Sequence, residues 1–158
     1  MFLNPETIIY HKKATTPKTI NTYILKFCKQ LIKTDQKPQY ILVTSDPLAE
    51  KDECFQNVVI KRNRDGGNVQ HGWIIWHENK KNLLIAEFHA LWVNLEGDWV
   101  DITPHKEERI LFLPDPVREA SPEYKPQNEF MVIPEVQPIT AKKKRKKRPS
   151  KKKTCKRK

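Results

Sequence analysis

The chain has 158 residues, 37% of them hydrophobic, with 12 Pro, 4 Gly, 3 Cys and a formal net charge of +11. That length suits one domain with a tail. No run approaches the roughly 20 apolar residues of a membrane helix. Met1 to Lys13 lack the apolar stretch of a secretory signal. Three widely spaced cysteines argue against a disulfide framework and for a reducing, cytoplasmic setting.

The charge is unevenly placed. Residues 141–158 hold 13 of the 30 Lys and Arg and none of the 19 Asp and Glu. Residues 1–140 therefore carry 17 basic against 19 acidic residues, a net of −2. A near-neutral body with a basic tail does not imply a nucleic-acid-binding face across the body. The run Lys142, Lys143, Lys144, Arg145, Lys146, Lys147, Arg148 is expected to attract RNA, DNA or another polyanion. No aromatic residue interleaves it, so base stacking is not expected there. In a eukaryotic or viral-host setting the same run reads as a nuclear-import signal.

In chain order, Thr15 or Thr16 can cap a helix with Pro17 at its first position. Ile20, Tyr23, Ile24, Phe27 and Leu31 recur at helical spacing, and Cys28 adjoins that stripe as a small hydrophobe. Tyr40 to Thr44 reads as a strand, stopped by Ser45, Asp46 and Pro47. Glu50 to Arg64 reads as a second helix, ended by Gly66 and Gly67. Four strand signals follow: Gly72–His77, Leu83–Val93, Trp99–Thr103 and Arg109–Leu113, separated by polar turns.

This order predicts an α+β domain over residues 1–113, with two N-terminal helices on an antiparallel meander of about four to five strands. Pro114, Pro116, Pro122, Pro126, Pro134 and Pro138 mark residues 114–140 as an extended segment. Residues 141–158 are expected to be disordered.

Cys54, His89 and Asp101 stand out as a set, because thiol chemistry needs a thiol, a base and a group that orients the base. A three-residue loop Leu95-Glu96-Gly97 would set Leu91 opposite Asp101. His89 and Asp101 would then be diagonal neighbours on one face, about 7 Å apart at the backbone. A four-residue loop would instead send Asp101 to the other face. A helix starting near Asp52 would place Cys54 in its first turn, where the dipole favours the thiolate. One starting near Pro47 would not.

The segments His89-Ala90-Leu91-Trp92-Val93 and Trp99-Val100-Asp101-Ile102-Thr103 resemble paired strands of the transglutaminase-like branch of the papain-like thiol superfamily. There a His-Ala-Trp strand precedes a Trp-x-x-Asp-x-Thr strand. Here one residue is inserted between Ala90 and Trp92, and Asp101 follows Trp99 by two positions. The resemblance covers residues 50–104. It implies a Cys54 nucleophile, a His89 base and an Asp101 orienter in a cysteine hydrolase or acyl transferase acting on an amide or ester. No upstream Gln is placed as an oxyanion donor; Gln56 and Asn57 are downstream candidates. The same blocks also resemble small uncharacterised bacterial proteins, some with a C-terminal Cys-rich zinc motif. The single Cys155 of this tail does not make such a site.

Rival readings accompany each residue. Cys54 is otherwise a small core side chain, His89 a hydrogen-bonded strand residue and Asp101 a turn cap. Glu87, His89, Asp101 and Cys54 are a candidate divalent-metal set, although no repeated Cys or His spacing supports it. Neither a metal nor a cofactor is therefore expected. His71, His77 and His105 are expected to face solvent, and Trp73, Trp76, Trp92 and Trp99 to pack in the core. The alternative to an enzyme is a non-catalytic binding domain carried to nucleic acid by its tail.

Overall fold

The computed structural model describes residues 13–120 and 124–134. The basic run 142–148, Cys155 and the N-terminal twelve residues lie outside the described residues. Among the described residues, two α-helices and six strands form an α+β fold in the order α1 (Thr22–Ile32), β1 (Gln39–Leu42), α2 (Cys54–Asp65), β2 (Asn68–Glu78), β3 (Leu83–Val93), β4 (Trp99–Val100), β5 (Arg109–Pro114) and β6 (Glu129–Val132). Among the described residues no helix is long and apolar enough to cross a membrane.

The first helix begins later than the sequence signals predict. Its cap is Asn21, whose side chain accepts the Ile24 N–H at 3.0 Å, as a short amide at this position does. The Thr15–Pro17 segment is drawn elsewhere. Thr15 bridges His77 of β2, Thr16 donates to the Arg109 carbonyl, and the Pro17 carbonyl accepts from the Tyr40 hydroxyl. Sheet pairing outcompetes local capping there. The predicted stripe survives in Ile24, Phe27, Cys28 and Leu31, all buried, while Ile20 is exposed.

The second helix also starts late, at Cys54 rather than Glu50. It stops at Gly66, whose φ of +79° favours glycine, as predicted.

The sheet is antiparallel but is not a meander. Its order is β1-β5-β2-β3-β4, with β6 added to β3. Strand β5 pairs with β1 and β2 rather than with its sequence neighbour β4. The reason is burial. Ile110, Leu111, Phe112 and Leu113 are all buried, so both faces of this strand need cover and it takes a central place. The sixth strand comes from the Pro-rich segment, where Glu129–Val132 pair with Leu83–Ala86.

The two ends of the path meet. Val43 bridges Asp101 in parallel, and the Thr44 and Asp46 amides donate to the Asp101 and Ile102 carbonyls. The sheet thus curls back on itself. Ile41, Ile74, Trp76, Ile85, Leu91, Ile110 and Phe112 fill one face. Helix α1 covers the other, with Ile24, Phe27 and Leu31 against Trp73, Ile75, Leu84 and Phe88. Helix α2 packs Val58 on Ala90 and Ile102.

Candidate active site

The β3–β4 connection decides whether His89 and Asp101 can meet. Trp92 pairs with Val100 and Val93 with Trp99. The Asn94 amide donates to the Asp98 carbonyl, and Gly97 takes a φ of +90°. This is the three-residue loop with its glycine in the left-handed region. Its register carries Asp101 to Leu91 and onto the face of His89. The side chains close the remaining gap, with His89 Nε2 lying 3.1 Å from Asp101 Oδ1.

Both groups are deeply buried, His89 at 3% exposure and Asp101 at 0%. A buried carboxylate is costly unless it is paired, and here the partners are at hand. Burial pushes the Asp101 carboxyl up, but the His89 imidazole and then His105 outweigh it and hold the carboxyl below the usual range. Burial likewise opposes a charged His89. The Asp101 carboxylate and then the Cys54 thiol outweigh it, and the imidazole is held well above its ordinary value.

Cys54 is the first residue of α2 and is largely buried. Its thiol lies within hydrogen-bonding reach of the His89 ring. Asp101 engages Nε2, so Nδ1 is the nitrogen left for the thiol. On the same edge of β3, β6 pairs residues 83–86 and β4 pairs 92–93. His89 lies in the interval between those two ladders. Glu53, at the cap position, makes no side-chain cap bond, and no acidic residue lies in the first turn. Asp52 and Glu53 beside the cysteine are exposed. The repulsion these two carboxylates would exert on a thiolate therefore sits in solvent, where it is screened.

Asn57 holds the approach to the thiol in place. Its amide donates to the Glu50 carbonyl at 2.8 Å and to Thr103 Oγ1 at 3.1 Å, while its oxygen accepts the Glu50 N–H at 2.9 Å. The Thr103 amide in turn donates to Asp101 Oδ1 at 3.1 Å. One polar chain thus joins the loop before Cys54 to the carboxylate behind His89. With its NH₂ group committed, Asn57 is not the oxyanion donor that the sequence allowed. Gln56 is exposed on α2.

A second brace anchors the same loop from outside. Asp46 caps it through the Leu48 amide and bonds Lys61 at 2.8 Å and Arg64 at 2.5 Å, both on α2. Arg64 and then Lys61 hold the Asp46 carboxyl below the usual range.

The three histidines expected in solvent are not there. His71 packs between Phe55 and Phe88, with ring centroids 6.2 and 6.0 Å away, and burial lowers its pKa. His77 sits in β2, its backbone bonded to Thr15 and its Nε2 buried without a partner. His105, 18% exposed, brings Nε2 to 3.0 Å from Asp101 Oδ2. Its ring lies 5.4 Å from that of His89 and 6.0 Å from Trp76. The sequence placed His105 in a strand-ending loop, and only the i, i+4 spacing from Asp101 hinted at a contact. Glu87, a member of the earlier metal set, instead accepts the Trp76 indole N–H at 2.8 Å. Trp73 and Trp76 are core residues as expected.

His89, Asp101 and His105 each offer one ligand atom within 4.8 Å of the others, making this trio the candidate metal-binding group among the described residues. No family model, no curated protein and no solved structure matches the chain.

Proposed function

We propose that the protein is a thiol-dependent hydrolase or acyl transferase of transglutaminase-like type, with Cys54 as nucleophile, His89 as general base and acid, and Asp101 as the group that fixes the imidazole. The observation that carries this reading is the double engagement of His89, by Asp101 at 3.1 Å on one nitrogen and by the Cys54 thiol on the ring. An incidental core cysteine has no need of a base that is itself oriented by a buried carboxylate.

The thiol proton passes to His89, and the sulfur lone pair attacks the carbonyl carbon of an amide or ester. The carbonyl π pair moves to oxygen. The N–H of Cys54, first in α2 and without an in-helix acceptor, faces that charge with the helix dipole behind it. Collapse expels the amine or alcohol, which takes the proton from His89 and leaves a thioester. Water or a second amine then attacks the thioester, again deprotonated by His89, and the thiol is restored. The basic run Lys142 to Arg148 brings the domain to RNA, DNA or another polyanion by charge alone.

An activity-based probe carrying a thiol-reactive acyl group tests the chemistry, with labelling located by peptide mass spectrometry. The tail thiol is removed as Cys155→Ser. Labelling of Cys54 in that background and its loss in Cys54→Ala are expected. Equal labelling of Cys28 and Cys54, or none of Cys54 in the folded chain, sinks the reading. Deletion of residues 141–158 is expected to abolish salt-sensitive retention on RNA or DNA. Unchanged retention would assign binding to the body.

A further inference from the structure

Asp101 has an oxygen to spare. Oδ1 accepts from the Thr103 amide and meets His89. Oδ2 is buried and makes no hydrogen bond, and the same is true of His105 Nε2. The two atoms are 3.0 Å apart, close enough to attract yet not aligned as donor and acceptor. A fully buried carboxylate oxygen left in that state is costly. A cation placed between them would satisfy both.

The donor set suits such an ion. Two imidazole nitrogens and a carboxylate are ligands of zinc and its first-row neighbours. Bonds of about 2.0–2.1 Å in a tetrahedral site space the donors by about 3.4 Å. The carboxylate faces an imidazole with each oxygen, Oδ1 lying 3.1 Å from His89 Nε2 and Oδ2 3.0 Å from His105 Nε2, so the two contacts are to different oxygens. All three ligand atoms fall within 4.8 Å. Small rotations about side-chain torsions bring them to bonding positions. His105 comes from a loop and is partly exposed, so an ion has a route from solvent.

We propose that His89, Asp101 and His105 bind one divalent cation of the zinc class, and that this cation and the thiol chemistry exclude one another. The binding stands on the three ligands alone; the antagonism rests on the thiol reading given above. A metal on His89 Nε2 uses the lone pair there and displaces the Asp101 hydrogen bond. The ring then keeps its proton on Nδ1, toward Cys54, and has no lone pair with which to take the thiol proton. Occupancy switches the base off while the thiol stays in place. Three protein ligands leave the fourth position to water.

Cobalt(II) reports the site directly. Titration of the full-length Cys155→Ser chain is expected to give visible ligand-field absorption saturating at one equivalent, without a thiolate-to-metal charge-transfer band. Zinc should displace it. His105→Ala and His105→Gln, read alongside circular dichroism, are expected to weaken binding by at least the roughly 10–100-fold that loss of an outer partner already costs. Cys54→Ala should bind as the parent does, which separates this site from any failure of the thiol reading. Zinc should also slow probe labelling of Cys54 in the parent and leave His105→Ala unaffected. No absorption, equal binding by the folded His105 variants, or a thiolate band lost in Cys54→Ala would each overturn the site. Zinc-insensitive labelling of a zinc-loaded parent would overturn the antagonism.

Discussion

Among the described residues two cysteines are buried, and they sit in opposite circumstances. Cys28, 2% exposed, lies in the middle of α1 among Phe27, Leu31 and Trp73. Burial pushes its thiol up to about 12, so it stays protonated and serves as a small hydrophobe. Cys54, 7% exposed, opens α2 and touches an imidazole that a carboxylate holds. Degree of burial does not separate the two. Position along the helix and the neighbouring base do, because a thiol reacts only where a proton acceptor is in reach and a favourable field meets the thiolate.

The contrast breaks most completely at the base. His89→Asn is expected to slow Cys54 labelling by at least about 100-fold, while Cys28 stays unlabelled until the chain unfolds. Time-resolved peptide mass spectrometry reads both sites in one sample. Equal Cys54 rates in parent and variant would place the two thiols in one class.

Asp101→Ala strips the carboxylate from between two imidazoles. It is expected to destabilise the fold by about 3–5 kcal/mol, the usual cost of breaking a buried charged pair. Asp101→Asn keeps the shape and should cost less, yet still slow labelling of Cys54. Urea denaturation gives the first effect and the probe the second.

Asn57→Ala removes three hydrogen bonds that tie Glu50 and Thr103 together. A loss of about 1–3 kcal/mol is expected, together with slower labelling as the loop before Cys54 loosens. Unchanged thermal stability would show that the loop does not depend on this residue.

Asp46 sharpens the comparison through pH. Arg64 and Lys61 hold its carboxyl low, so the unfolded chain binds a proton that the folded one does not. The stabilisation is complete above the unfolded value of about 4 and is lost as pH falls through the lower folded one. Asp46→Asn should therefore flatten the acid limb of a stability-against-pH curve, with little change in its slope at neutral pH.

The smallest effect is expected from Cys28→Ala, about 1 kcal/mol for a small cavity and no change in Cys54 labelling.

Much of this was legible along the chain. The long, mostly apolar run Leu83–Val93 between polar turns gave β3 its full span, and the glycine pair gave the end of α2. The single glycine of the 95–97 loop favoured the register that sets Asp101 beside Leu91, while the four-residue alternative stayed open until the pairing of Trp92 with Val100 decided between them. The ordered triple Cys54, His89, Asp101 followed from residue chemistry and that register. The strand span, the helix end and the loop preference are local quantities, set by backbone sterics and residue type within a few residues, whereas the meeting of Cys54 with His89 is not.

What only the tertiary structure decided depended on competition between distant segments. Strand β5 left its neighbour β4 for a central place because both of its faces are apolar. The Thr15–Pro17 segment gave up its capping role to pair with β2, and part of the Pro-rich stretch became β6. The start of α2 at Cys54 was fixed by Asn57 and Asp46 reaching across to their partners, not by any strong local cap. His105 reached Asp101 from the loop beyond the Val43–Asp101 bridge, where the two ends of the sheet meet. Contacts of that kind are set by how the sheet curls, and no window of neighbouring residues contains them.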